Sequence, residues 1–296
     1  MKQQIVRIEG IKKVKPDVYL LWFTNAYLSK VSHPGQFLHI KIDKKVTILR
    51  RPLSIHKVIG ARVYLLFRVR GKGTRILSGY RAGNTLDVIG PLGNGFVCPE
   101  QLCKQNEIIL VAGGLGVAPL VFLAQKIDAH CRSDYKGKHI KRIALVGAKT
   151  RSEILCEADF KKFGFEVKVT TDDGSRGPES RKVTDLLKIY LTNYPFKKTV
   201  LGAHAHVYAC GPREMFLGIK NILNNLPVMH YAEDKKPVWS SLTQNTSAQF
   251  PVSCQVSFEQ FMGCGLGACC GCVIETKHGY KKVCSDGPVF NIDDIW

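Results

Sequence analysis

The chain has 296 residues, 45% of them apolar and 23% charged, a globular composition with room for two or three domains. It has no run of about eighteen apolar residues and no apolar N-terminal stretch of signal-peptide length, so a cytoplasmic protein without a membrane span is expected; its eleven cysteines, an odd count, argue against a disulfide framework. The net charge of +19 falls on the first two hundred residues, but the cations are scattered and lack aromatic platforms, so no nucleic-acid partner is expected.

The first hundred residues read as β-structure. "QIVRI", "VYLLWF", "QFLHIKI", "VYLLFRV" and "TLDVIG" are short β-branched or aromatic runs separated by turn residues, a spacing that predicts a small antiparallel barrel over 1–103. Near Glu107 the texture changes. "EIILVAGG" is a continuous apolar strand and "LGVAPLVFLAQKI" a helix. "IKRIALVGA", "FEVKVTT" and "HVYACG" are further strands, alternating with helical "VTDLLKIYL" and "PREMFLGIKNIL". Apolar strands alternating with helices predict a parallel, Rossmann-like sheet over 104–228. Residues 229–296 form a third unit. It opens on a polar linker or surface loop at 230–250 and ends in a cysteine-rich loop. Ser257 with Gln260 suggests a capping box for a helical turn before that loop, and "CVIETKHGYKKVC" a hairpin turning at His278–Gly279.

The loop reads "FMGCGLGACCGC". Four residues separate Cys264 from Cys269, two separate Cys269 from Cys272, and eleven more precede Cys284. C-x4-C-x2-C…C is the spacing of a plant-type [2Fe–2S] cluster held by four thiolates. Gly263, Gly265, Gly267 and Gly271 allow close approach and positive φ around an inorganic core. The competing reading is a structural zinc site, although zinc prefers two separated C-x2-C knuckles. Cys270 is an extra thiol: taking it as a ligand in place of Cys269 gives spacings that fit no known pattern. Cys254 reads as a core residue.

A cluster moves one electron at a time and a hydride donor gives two, so the chemistry asks for a flavin between them. "RPLSIH" places the Arg51 guanidinium where it could grip a pyrophosphate and the Ser54 hydroxyl where it could reach a flavin. "FRVRGKGT" ends a strand in a Gly-rich turn suited to phosphate. "VAGGLGVAPL" is a Gly-rich strand-to-helix turn where a helix N-terminus could take a phosphate, though it is not the G-x-G-x-x-G fingerprint. "ACGP" ends a later strand, at the edge where ligands of such sheets bind. Cys210 there could equally be a buried small residue. Asp172 and Asp173 follow a strand where a carboxylate could accept from a ribose 2′-OH, favouring NAD; Arg176 and Arg181 nearby could reverse that preference, and an acidic Asp-Gly turn is the plain alternative.

In this order, over nearly the whole chain, these stretches resemble the ferredoxin–NADP reductase superfamily. With "TTDDGSRG", "KVTDLL", "CGP", "CGLGACCGC" and "VCSDGPVF", the sequence is similar to the electron-transfer subunits of class 1B dihydroorotate dehydrogenases. That resemblance implies a multidomain β plus α/β fold: a flavin barrel, a Rossmann-like domain and a small cluster domain. It implies FAD lined by Arg51, Pro52, Leu53 and Ser54, with Phe67, Arg68, Val69, Gly73 and Thr74 completing the site. NAD would meet Gly113, Gly114 and Gly116, with Asp172, Cys210, Gly211 and Pro212. Cys264, Cys269, Cys272 and Cys284 would ligate the cluster. It further implies an FMN-containing catalytic partner, two copies of each subunit, and a relay from dihydroorotate through [2Fe–2S] and FAD to NAD⁺ in UMP biosynthesis. No catalytic acid or base falls on this chain. The alternative is an NAD(P)H diaphorase subunit of a sulfhydrogenase, sulfite reductase or ferredoxin:NADP oxidoreductase.

Overall fold

A computed structural model describes residues 1–42, 48–98, 107–134, 140–177, 182–192, 205–226, 228–231, 237–240 and 252–295. The boundary expected at 103/104 lies outside them.

Six strands close a barrel in the order β1-β2-β5-β4-β3-β6. They are β1 (Lys2–Lys15), β2 (Val18–Thr24), β3 (Phe37–Lys41), β4 (Arg51–Ile59), β5 (Arg62–Arg68) and β6 (Thr85–Leu92), and all their pairings are antiparallel. The period-2 alternation dictates the curl. On β6, Leu86 and Val88 turn inward, and Val6, Ile8, Leu21, Phe23, Leu38, Ile40 and Leu65 meet them in one core. Two short helices were not expected. α1 (Ala26–Val31) starts where Asn25 Oδ1 accepts from Leu28 N–H at 2.9 Å. α2 (Lys72–Ser78) grows out of "GKGT", because the Thr74 hydroxyl accepts from the Arg70 N–H at 2.9 Å.

The second sheet has the order β16-β13-β10-β7-β8-β9. β7 (Glu107–Gly113), β8 (Lys141–Ala148), β9 (Glu166–Thr171), β10 (Ala205–Cys210) and β13 (Val252–Ser257) are parallel, and β16 (Val289–Asn291) closes the edge antiparallel. From Ile108 onward β7 is apolar because both its faces are covered. Ile108 and Leu110 pack toward α3 (Val117–Asp134) and α4 (Glu157–Lys162). Ile109 and Val111 pack toward α5 (Val183–Thr192) and α6 (Arg213–Asn224). α3 serves both lobes. Its first eight residues, Val117–Ala124, are all buried, and Phe122 belongs to the barrel core. The Gln125 side chain pairs with Val58 like an extra strand residue, donating to its carbonyl at 2.6 Å and accepting from its N–H at 3.2 Å.

Four sequence expectations change. β13, read with the C-terminal unit, is a strand of the parallel sheet beside β10. Within the expected 230–250 loop, β11 (Val228–Tyr231) and β12 (Pro237–Ser240) pair as an antiparallel hairpin; residues 232–236 and 241–251 lie outside the described ones. The helical turn expected after Ser257 is absent, because Ser257 ends β13 and Phe258 N–H donates to the Pro288 carbonyl instead. The C-terminal hairpin, β14 (Val273–Thr276) and β15 (Gly279–Lys282), turns at Lys277–His278, with Gly279 at φ +86° opening β15.

Candidate cofactor sites

The cysteine loop gathers Cys264, Cys269, Cys272 and Cys284 around a set of inward N–H groups. Cys264 and Cys269 exchange N–H···S hydrogen bonds at 3.4 Å each. Cys284 N–H donates to Cys272 Sγ at 3.4 Å, and Gly267 N–H reaches Cys284 Sγ at 3.2 Å. Hydrogen bonds thus link the cysteines as two pairs, Cys264 with Cys269 and Cys272 with Cys284. Two pairs suit a two-iron centre better than one tetrahedral zinc, which asks for four ligands about a single point. Electrostatics differ across the set. The Leu266 N–H aimed at Cys264 Sγ at 3.3 Å pulls that thiol down to about 6, while burial pushes Cys284 up to about 11. A thiolate-favouring end is what a ligand loop needs before metal arrives. Of the four glycines, Gly265 and Gly267 take positive φ, +72° and +83°. Cys270 stands at φ +54°, exposed, and among the described residues no N–H···S bond reaches it.

This loop sits on the outer wall of the barrel. Phe37, Leu92, Met262, Cys272, Val283 and Cys284 form one small apolar core. Asn94 Nδ2 donates to the Asp286 carbonyl at 3.0 Å, tying the "SDGP" tail to the end of β6. His39 of β3 is fully buried, and its Nδ1 lies 3.1 Å from the Cys264 carbonyl. Burial holds that imidazole down at about 4, so it is neutral, with the proton on Nδ1 facing the carbonyl.

On the barrel, β3 pairs with β4 so that His39 faces Pro52 and Phe37 faces Ser54. Arg51, Pro52, Leu53 and Ser54 are all half-buried. The structure brings the two flavin stretches together: a methyl on Gly73 would stand 2.8 Å from Arg51 Nε. Arg51, Gly73 and Thr74 therefore make one cationic corner at the start of α2. Phe67 is 1% exposed and stacks on Tyr19 in the barrel, so only its backbone borders this corner. Val69 N–H is taken by the Asp17 carbonyl at 2.8 Å. Arg68 turns away to Glu153 at 2.7 Å, an ion pair between the two lobes.

The ends of β7 and β10 meet in register, Ala112 beside Cys210. There the glycines allow backbone to lie against backbone. A methyl on Gly116 would collide with the Cys210 carbonyl, and one on Gly211 would stand 3.2 Å from Gly113 Cα. Gly114, at φ +56°, faces open space. Pro212 is exposed and caps α6. Cys210 is 1% exposed, and burial pushes its thiol well up, with Ser257 as its hydrogen-bond partner. Asp172 follows β9, its N–H held by the Ala148 carbonyl at 2.9 Å; Asp173 is occupied in a turn with Ser175. The Arg176 guanidinium donates to Glu157 at 3.1 and 3.2 Å, and Arg181 lies outside the described residues.

A second group of possible ligands lies at the junction of barrel and sheet. His56, Cys156 and Asp159 each bring one ligand atom within 4.8 Å of the others. Lys57 already neutralises Asp159 at 2.8 Å, and burial pushes the Cys156 thiol up to about 12, so an ion pair accounts for the group.

Residues 259–296 match the model of the iron–sulfur cluster binding domain of dihydroorotate dehydrogenase B. The whole chain is 32% identical, over 96% of its length and 94% of the relative's, to the dihydroorotate dehydrogenase B (NAD⁺) electron transfer subunit of Desulforamulus reducens. It is 33% identical to that of Geobacillus kaustophilus, over 94% and 92%. The chain belongs to the dihydroorotate dehydrogenase B electron-transfer-subunit family. Among solved structures, an NADH-dependent reduced ferredoxin–NADP oxidoreductase superposes with a TM-score of 0.75 at 24% identity, covering 99% of this chain and 90% of that one. The Neisseria gonorrhoeae ferredoxin–NADP⁺ reductase gives 0.60 at 14% identity, covering 87% and 100%. Both share the barrel-plus-parallel-sheet fold.

For a member of this electron-transfer family, the notable additions to the sequence reading are His39, Asn94 and Glu153. None belongs to a local motif. The one sequence signal was His39 itself, a polar residue interrupting the apolar run "QFLHIKI".

Proposed function

We propose that this chain is the electron-transfer subunit through which a dihydroorotate dehydrogenase delivers electrons to NAD⁺ in pyrimidine biosynthesis. The observation that carries the reading is the seating of the four-thiol loop on the barrel wall that bears the Arg51–Ser54 strip, in a chain related over its full length to such subunits. Bound FAD would supply the exchange between one-electron traffic with a [2Fe–2S] cluster and two-electron traffic with a nicotinamide.

The chain's own residues supply binding and placement. Arg51, whose Nη1 is held by the Leu49 and Arg50 carbonyls, offers its guanidinium charge to a pyrophosphate beside Gly73, and Ser54 a hydroxyl further along the same strand. Gly114 leaves room for a dinucleotide at the carboxyl edge of the sheet, while Gly113 and Gly116 let the turn pack against Pro212 and the end of β10, next to Gly211. Cys264, Cys269, Cys272 and Cys284 hold the cluster, and Cys270 is left out. Arg176 is partly neutralised by Glu157, which weakens its pull on a 2′-phosphate, while Asp172 can accept from a 2′-OH. That supports NAD over NADP.

The catalytic partner would be an FMN protein, with two copies of each chain. The exposed rim of the cluster loop offers it a surface: Phe261 is 91% exposed and Leu266 46%. Among the described residues no helix is long and apolar enough to cross a membrane, and a cytoplasmic location fits reduced thiols. The test is an anaerobic pull-down of the tagged chain from its own cells. The expected eluate contains an FMN protein and reduces NAD⁺ on addition of dihydroorotate. A yellow-brown chain that NADH bleaches, with no response to dihydroorotate, would move the chain to another complex.

A further inference from the structure

His39 sits where two cofactor-bearing segments meet. In the β3–β4 register it lies opposite Pro52, inside the strip assigned to the flavin. Its ring reaches outward from the barrel wall to the Cys264 carbonyl at 3.1 Å, the backbone of a cluster ligand 225 residues away. The fit is close. A methyl on Gly265 would stand 2.5 Å from Nδ1, so the loop can adopt this seat only with glycine after Cys264. The carbonyl can only accept, so the proton is on Nδ1 and Nε2 carries the lone pair. Nε2 is buried and, among the described residues, has no hydrogen-bond partner. A leucine would fill this wall without stranding a nitrogen, as Leu92 and Phe37 do alongside. An imidazole half satisfied in a buried wall points to a role beyond packing.

We propose that His39 is a positioning residue for electron transfer, a bolt that fixes the cluster loop against the flavin strand and sets the separation that single electrons cross. The inference rests on the functional reading above. With both groups bound, single electrons would pass from the reduced cluster to the flavin in the proposed relay, and from the reduced flavin to the oxidised cluster when NADH is the donor. His39 keeps its proton and its oxidation state throughout. Its contribution is geometric: loss of the bolt lets Cys264 drift from the wall, and small misplacements of reacting centres are expensive in rate.

The test uses the full chain carrying FAD and cluster, in wild-type, His39→Leu and His39→Asn forms. Asn places an amide N–H near the Nδ1 position, whereas Leu keeps only bulk. Flavin and iron content are measured first. Cluster reduction after anaerobic mixing with NADH is then followed by stopped flow, and the reduced cluster by EPR. Expected is full cofactor content in His39→Leu, cluster reduction slowed on the order of tenfold or more, an altered EPR signal, and recovery to near the wild-type rate in His39→Asn. A wild-type rate in His39→Leu overturns the proposal. So does His39→Asn as slow as His39→Leu at full cofactor content, or selective loss of the cluster in both variants, which would make His39 a folding residue of the loop. If NADH leaves even the wild-type cluster oxidised, the electron-transfer reading itself falls, a result distinct from these.

Discussion

The Arg51 guanidinium lies directly over Gly73, so that a methyl group there would stand 2.8 Å from Nε. Two stretches more than twenty residues apart in sequence thereby share one cationic corner. Gly73→Ala should push Arg51 aside and weaken FAD retention much as Arg51→Ala does. Hydrogen bonds to a charged group are each worth about 1.5–3 kcal/mol, roughly tenfold or more in affinity. The double variant should lose little beyond Arg51→Ala alone, because both changes act on one contact. Flavin absorbance after desalting measures all three; additive losses would separate Gly73 from Arg51.

The cluster ligands are tested by a pair of single changes. Cys269→Ser should remove the visible absorbance of the cluster and leave FAD bound, since the thiol pairs with Cys264. Cys270→Ser should leave the spectrum unchanged. The reverse pattern would exchange the two assignments.

Gly116→Ala sets a methyl against the Cys210 carbonyl, and neither backbone can yield without moving β10 or the start of α3. The expected cost is about 1–3 kcal/mol, typical of overpacking, with slower bleaching by NADH. Thermal unfolding and stopped-flow absorbance report the two effects separately. A variant with wild-type stability would show that the turn relaxes freely.

On the proposed reading, nucleotide choice depends on the Glu157–Arg176 ion pair. Glu157→Gln should loosen Arg176 and narrow the preference for NADH over NADPH by about tenfold, the worth of one charge-assisted hydrogen bond. Comparing kcat/KM for the two nucleotides decides it. An unchanged ratio would leave Arg176 too far from the ribose to matter.

Acid should destabilise the chain through its buried imidazoles. Burial lowers His56, as well as His39, from 6.5 to about 4. Each is neutral in the fold, so its contribution is complete above the unfolded value. It is lost as pH falls from about 6.5 toward 4, because only the unfolded chain takes up the proton. The limit is about 3 kcal/mol per histidine at 1.36 kcal/mol per pH unit. His56 faces Lys57, Asp159 and the Ala118 carbonyl across the junction of barrel and sheet. His56→Asn should flatten the fall of Tm between pH 6.5 and 4.5; an unaltered slope would place the acid sensitivity elsewhere.

Much of this was legible because it is written locally. Alternation along "TLDVIG", the solid apolar run "EIILVAG" and the cysteine spacing each depend on a few neighbouring residues. What escaped depends on partners far along the chain. "VSCQVS" reads as a strand, but nothing in it names β10 as its neighbour, and the closing antiparallel β16 comes later still. α2 was read as a turn because Gly-Lys-Gly favours one; the Thr74 hydroxyl, by taking up the Arg70 and Gly71 N–H groups, tips it into a helix. Phe67 looked like part of the flavin strip, yet the pleat turns its ring inward to Tyr19. His39 offered only the oddity of a histidine in a strand, its partner being 225 residues distant.

α3 gives its first two turns to both lobes and keeps no solvent-facing side there. A helix so placed cannot serve as a hinge, since parting the lobes would strip Phe122 from the barrel and Gln125 from Val58 in the same motion. Barrel and sheet are thereby fastened to each other through α3, and separating them would cost both contacts at once. Heated or titrated with denaturant, barrel and sheet should melt together, as a single cooperative unit inherited whole.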